Sequence, residues 1–127
     1  MSEFEPTLRE LLAAGHTARF RASGDSMHPV IRSGDYLEIA PCHVSQLRIG
    51  DVILAKTERG LTAHRVVRIR AEDRIRITMR GDNALRSDRS IGPEDVVGRV
   101  ENVRTESATI ARLATVLVRR LRSAFQQ

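Results

Sequence analysis

Ser26 lies within SGDSMHPVIRSGD, residues 23–35, where two Gly-Asp pairs and a proline separate two runs that read as strands. Gly24 permits a tight backbone approach and Pro29 fixes the exit, so the turn can lift a side chain clear of the main chain. A serine presented in this way is either a turn residue or a nucleophile. A nucleophilic serine needs a base within hydrogen-bond reach, and the chain offers four histidines and one lysine, Lys56. His16 falls in a helix-to-strand link, His28 is two residues from Ser26 along an extended chain, and His43 is in a loop. His64 is set inside LTAHRVVRIR, a β-forming run that would hold it rigidly. A strand histidine is either structural or a base. A histidine base gains from a carboxylate that fixes its tautomer, and GDNALRSDRS supplies Asp82 and Asp88. Each of these acids also reads as a turn residue.

The elements around these residues follow from periodicity. EPTLRELLAA, residues 5–14, has Leu8, Leu11 and Leu12 at helical spacing with Gly15 as a stop. TARFRAS, DYLEIA, DVILAK, LTAHRVVRIR, RIRITMR and VVGRVENV read as strands, separated by turn-rich stretches. RIRITMR alternates strictly, with Ile75, Ile77 and Met79 on one face and Arg74, Arg76 and Arg80 on the other. Residues 109–125 change period: Ile110, Leu113, Ala114, Leu117, Val118, Leu121 and Phe125 mark an amphipathic helix with Arg112, Arg119 and Arg122 opposite. The expectation is a mainly β domain over 1–104, of six or seven short strands with a short N-terminal helix. An amphipathic helix follows at 105–127.

Composition narrows the classes. A chain of 127 residues builds one modest core. No apolar run reaches the length needed to span a bilayer, and the mixed charges of the first fifteen residues do not form a secretory signal, which gives a cytoplasmic expectation. A single cysteine, Cys42, permits no intrachain disulfide. The four histidines and one cysteine show no metal-ligand spacing, and no cofactor is implied. The net charge of +5 raises nucleic acid as a partner, but four aromatic residues make a poor stacking platform, so nucleic acid ranks as an unfavoured partner.

Taken together, SGDSMHPVIRSGD, LRIGDVILAK, HRVVRI and RGDNALRSDRS…VVGRV resemble, in order, the catalytic domain of type I signal peptidases and their relatives, the S26 and S24 serine peptidases. The likeness covers about residues 18–103. It implies a signal-peptidase or LexA-like β fold and a serine endopeptidase. It places the nucleophile at Ser26, with Gly24 shaping an oxyanion loop and Met27 and Pro29 beside the substrate. The general base of this family falls on His64, where common bacterial signal peptidases have lysine. Histidine resembles the endoplasmic-reticulum, archaeal and sporulation-type branch. Histidine titrates near 6.5 without the desolvation that a lysine base requires. By the same resemblance Asp88 is the orienting acid, Asp82 the alternate, and Ser87 a support for the base. The implied partner is an extended peptide or precursor protein bound as an added strand, with small residues near the cut.

The pattern departs from signal peptidases in two respects. It shows no membrane anchor and leaves no room for an inserted cap, so the expectation is a minimal soluble core. Ala14-Gly15 resembles the scissile pair of self-cleaving relatives, but it lies only eleven residues before Ser26, with little chain to fold back. The apolar face of 109–125 fits packing on the sheet or on a second copy as a homodimer. Its arginines fit peripheral contact with the inner face of the cytoplasmic membrane. Two other readings remain beside the peptidase: a non-catalytic peptide-binding module of this fold, and a basic nucleic-acid binder.

Overall fold

The computed structural model describes residues 4–105. The amphipathic pattern of 109–125, with the membrane and second-copy contacts read from it, lies outside the described residues.

Helix α1, Phe4–Ala13, buries Leu8 and Leu12, four residues apart on one face, and leaves Leu11 half exposed. Arg9 and Glu5, one turn apart, form an ion pair at 2.8 Å on the flank of that face. The helix stops where the sequence predicts: Gly15 takes φ +86°, and the N–H groups of Gly15 and His16 close back on the carbonyls of Leu12 and Leu11.

Six strands follow: β1 Ala18–Arg21, β2 Tyr36–Ala40, β3 Val52–Thr57, β4 Gly60–Ala71, β5 Ile75–Arg80 and β6 Val96–Arg104. They form one antiparallel sheet in the order β1-β2-β6-β3-β4-β5. This is the mainly β architecture that the period-two runs imply. Single-turn 3-10 helices at Val44–Gln46 and Pro93–Asp95 interrupt two of the stretches that read as loops.

Apolar side chains fill both faces of the sheet. Val52 and Leu54 join Leu8, Leu12, Met27, Leu37 and Val100 on one face, while Ile53 and Ala55 join Val66, Ile77 and Met79 on the other. β3 lies between β6 and β4, and an apolar cluster packs on each of its two faces. That is why DVILAK reads as an unbroken apolar run rather than an alternating one. The alternation of β5 puts Ile77 and Met79 into the second cluster and leaves Arg74, Arg76 and Arg80 exposed.

Strand β4 has a split environment. From Gly60 to Arg65 it pairs with β3, but β5 joins its other side only from Arg65 onward. Among the described residues, Gly60–His64 therefore have one paired and one open edge, and Arg65 is the first residue with a strand on each side. Among the described residues, no helix is long and apolar enough to cross a membrane.

Candidate active site

His64 is directly opposite Ile53 on β3 and projects on the same face. It is 3% exposed, so its two ring nitrogens need partners within the protein. Nε2 lies 2.9 Å from Ser26 Oγ and Nδ1 lies 2.5 Å from Asp88 Oδ2. The three side chains thus form a line from carboxylate to imidazole to hydroxyl. Among the described residues, no buried side-chain nitrogen or oxygen is left without a partner.

The other acid of the loop is engaged elsewhere. Asp82 accepts two hydrogen bonds from the buried Arg65 guanidinium, at 2.8 and 2.7 Å, and Arg65 also donates to the Gly50 carbonyl at 2.8 Å. Successive residues on β4 point to opposite faces, so His64 and Arg65 reach different carboxylates from adjacent positions. Of Asp88 and Asp82, only Asp88 touches the histidine.

The serine is held by three features. Gly24 takes φ +84°, a conformation open to glycine, and bends the chain into the loop. Met27 is buried in the apolar cluster below, which anchors the residue after the serine. The loop after β5 then grips the main chain: the Asn83 N–H donates to the Ser26 carbonyl at 2.9 Å, and the Asn83 side-chain amide donates to the Asp25 carbonyl at 3.1 Å. The Asp82 N–H also points to the Met27 sulfur at 3.3 Å. The same loop returns to β5, where the Asp88 N–H donates to the Met79 carbonyl at 2.8 Å. One segment, residues 81–88, therefore positions both partners of His64.

Gly81, at the start of that segment, is required by close approach. A Cβ here would lie 2.5 Å from the Ser26 carbonyl oxygen, 3.1 Å from Ser26 Cβ and 3.2 Å from His64 Nε2. Sequence reading assigned no role to Gly81, Asn83 or Arg65. The available signal was a glycine immediately after an alternating strand, which marks either a turn or a close approach of backbones.

Two spaces meet at Ser26 and His64. A cleft of about 850 Å³ runs between the β3–β4 hairpin tip and residues 84–91. A smaller pocket of about 190 Å³ has walls that are part polar, with Ser26, Arg59, Thr62 and His64, and part apolar, with Phe20, Met27, Ile31, Leu61 and Ala63. Gly24 lines the smaller pocket and Ser87 the larger. Ser87 is exposed and has no hydrogen bond to His64. Pro29 is exposed, follows a cis peptide bond from His28, and lines neither space. The Ala14-Gly15 pair closes α1 and lines neither space. Among the described residues, no three His, Cys, Asp or Glu side chains converge as metal ligands would.

No curated protein matches the chain. The Peptidase S24-like family matches residues 2–101, which takes in every element described above except the last residues of β6. Of the branches that the sequence resembles, the match falls on S24 rather than on the signal peptidases. With a hydroxyl, an imidazole and a carboxylate in line beneath an open cleft, the chain belongs to the Peptidase S24-like family, a family of serine-peptidase type.

Proposed function

We propose that this protein is a serine endopeptidase that cuts an extended peptide or a loose segment of a precursor protein. The carrying observation is the hydrogen-bonded line Ser26–His64–Asp88. In the reaction, His64 Nε2 accepts the Ser26 hydroxyl proton as Oγ bonds to the scissile carbonyl carbon. The Asp88 carboxylate, on Nδ1, fixes the tautomer that leaves Nε2 free to accept and stabilises the imidazolium that forms. The Ser26 N–H has no hydrogen-bond partner among the described residues and is free to donate to the developing oxyanion. The imidazolium then protonates the leaving amine, the C–N bond breaks, and the new amino terminus departs. Water, deprotonated by His64, attacks the acyl carbon and releases Ser26 and a carboxylic acid.

Two features support a peptide as substrate. The open edge of β4 at Gly60–His64 presents unpaired main-chain groups beside the serine, the requirement for strand addition. The small pocket next to Ser26, with an apolar side formed by Phe20, Met27, Ile31, Leu61 and Ala63, fits a small side chain at the residue before the cut. A fluorophosphonate probe, which acylates activated serines, should label wild type and not Ser26→Ala. Equal labelling of the two proteins, or none of either, overturns the enzyme reading and leaves a peptide-binding module of the same fold.

A further inference from the structure

Four cations line the larger cleft, Lys56, Arg59, Arg86 and Arg89, and they differ in how they are paired. Lys56 meets Glu5 at 3.7 Å, and Arg89 meets Glu58 at 3.9 Å. The cleft's carboxylates Asp88 and Asp95 bond to the His64 ring and, at 3.2 Å, to the Gly92 N–H, not to an arginine. Two arginines lining the cleft differ. Arg59, on the β3–β4 hairpin tip, and Arg86, on the opposing 84–91 loop, are exposed. Neither guanidinium has a hydrogen bond or ion pair among the described residues. Arg59 lines the small pocket as well, so it stands where the two spaces join.

The alternation of a bound strand turns this placement into a selection rule. A peptide added to the open edge of β4 sends successive side chains to opposite sides. On one side are Leu61 and Ala63, which line only the small pocket. On the other is the cleft with Arg86, and Arg59 stands at the join of the two spaces. A residue seated in the small pocket therefore has flanking neighbours that face the arginines.

We propose that the cleft selects peptides carrying a carboxylate side chain, aspartate or glutamate, next to the small apolar residue, with Arg59 and Arg86 as the recognising groups. The proposal rests on the peptide-binding part of the function proposed above. Guanidinium groups pair with carboxylates through two parallel hydrogen bonds, a geometry that glutamine reproduces poorly and lysine opposes. Two partly exposed contacts of this kind together favour glutamate over glutamine by about tenfold.

The test uses Ser26→Ala, which cannot turn peptide over. Fluorescent peptides share one sequence around a central alanine and differ only in having Glu, Gln or Lys at the flanking positions. The expected order of affinity is Glu, then Gln, then Lys, with the first gap near tenfold and shrinking as salt rises. Adding Arg59→Gln and Arg86→Gln should abolish the preference, and Arg59→Glu with Arg86→Glu should turn it toward Lys. Equal binding of the Glu and Gln peptides, no binding of any peptide, or a Glu preference that survives both Gln substitutions overturns the proposal. Cleavage of the same peptides by wild type is read separately. A Glu preference in binding without Ser26-dependent hydrolysis sustains the recognition and refutes the peptidase.

Discussion

Gly81→Ala isolates the geometry of the site from its chemistry, because it removes no functional group. The added methyl carbon would lie 2.5 Å from the Ser26 carbonyl oxygen, whereas ordinary contact begins at 3.4 Å, so that carbonyl must retreat by about 0.9 Å. It cannot retreat freely, because the Asn83 N–H, two residues beyond Gly81 on the same segment, holds it at 2.9 Å. Ser26 Cβ and His64 Nε2, at 3.1 and 3.2 Å, are crowded by the same atom. A displacement on the order of 1 Å between nucleophile and base costs about 100-fold in rate. Strain from the extra methyl should cost about 1–3 kcal/mol of stability, which leaves the protein folded. The assay is the second-order rate of Ser26 acylation by a fluorophosphonate, with urea denaturation alongside. Gly15→Ala is the control: Gly15 takes φ +86° with no atom near its added Cβ, so the variant loses about 1 kcal/mol or somewhat more through the backbone without touching the site. Gly81→Ala acylated as fast as Gly15→Ala would refute the argument that this close approach sets the Ser26–His64 distance.

Two further substitutions test how labour is divided between the loop acids and how a surface network responds to acid. Asp88→Asn should lower the acylation rate by about 10³–10⁴-fold with little change in stability, whereas Asp82→Asn should cost about 2–3 kcal/mol by leaving the buried Arg65 charge half-paired. Kinetics and denaturation of the two variants check this, and the reverse pattern would exchange their roles. At Glu38, burial works to raise the carboxyl, but hydrogen bonds from Asn102 and Arg104 and the charges of Arg104 and Arg19 outweigh it and hold it below its ordinary value of 4.5. A carboxylate depressed in the folded state stabilises above its unfolded value and loses that contribution as pH falls through the folded one. Wild type should therefore exceed Glu38→Gln in stability by no more than about 1 kcal/mol at neutral pH, with the margin closing below pH 4.5. A margin constant from neutral into acid would contradict it.

The strands were legible because their periods are local. Ile75, Ile77 and Met79 declare their face without reference to any other element, and Leu8 and Leu12 declare theirs by helical spacing. Ser26, His64 and Asp88 could be named because residue type and motif order carry them. The choice between Asp88 and Asp82 depended on tertiary placement. It turns on Arg65, adjacent to the histidine on β4, reaching Asp82 first and being buried there, so that this pair leaves Asp88 to the imidazole. Gly81 was hidden for a related reason: its constraint comes from an atom 55 positions away in sequence, the Ser26 carbonyl. The open edge of β4 was equally invisible, since LTAHRVVRIR reads as one uniform strand and only pairing divides it.

That division of β4 bears on what the protein can safely live beside. An unpaired strand edge is a hazard, because it will template any extended chain, including other copies of itself. Among the described residues, the open edge of β4 runs only over Gly60–His64, with the charged hairpin tip at one end and residues 84–91 across the cleft. Five residues of open edge offer few ladder hydrogen bonds, so a second sheet gains little by docking there. A short open edge of this kind limits the templating of other sheets and still leaves room for the strand addition proposed above.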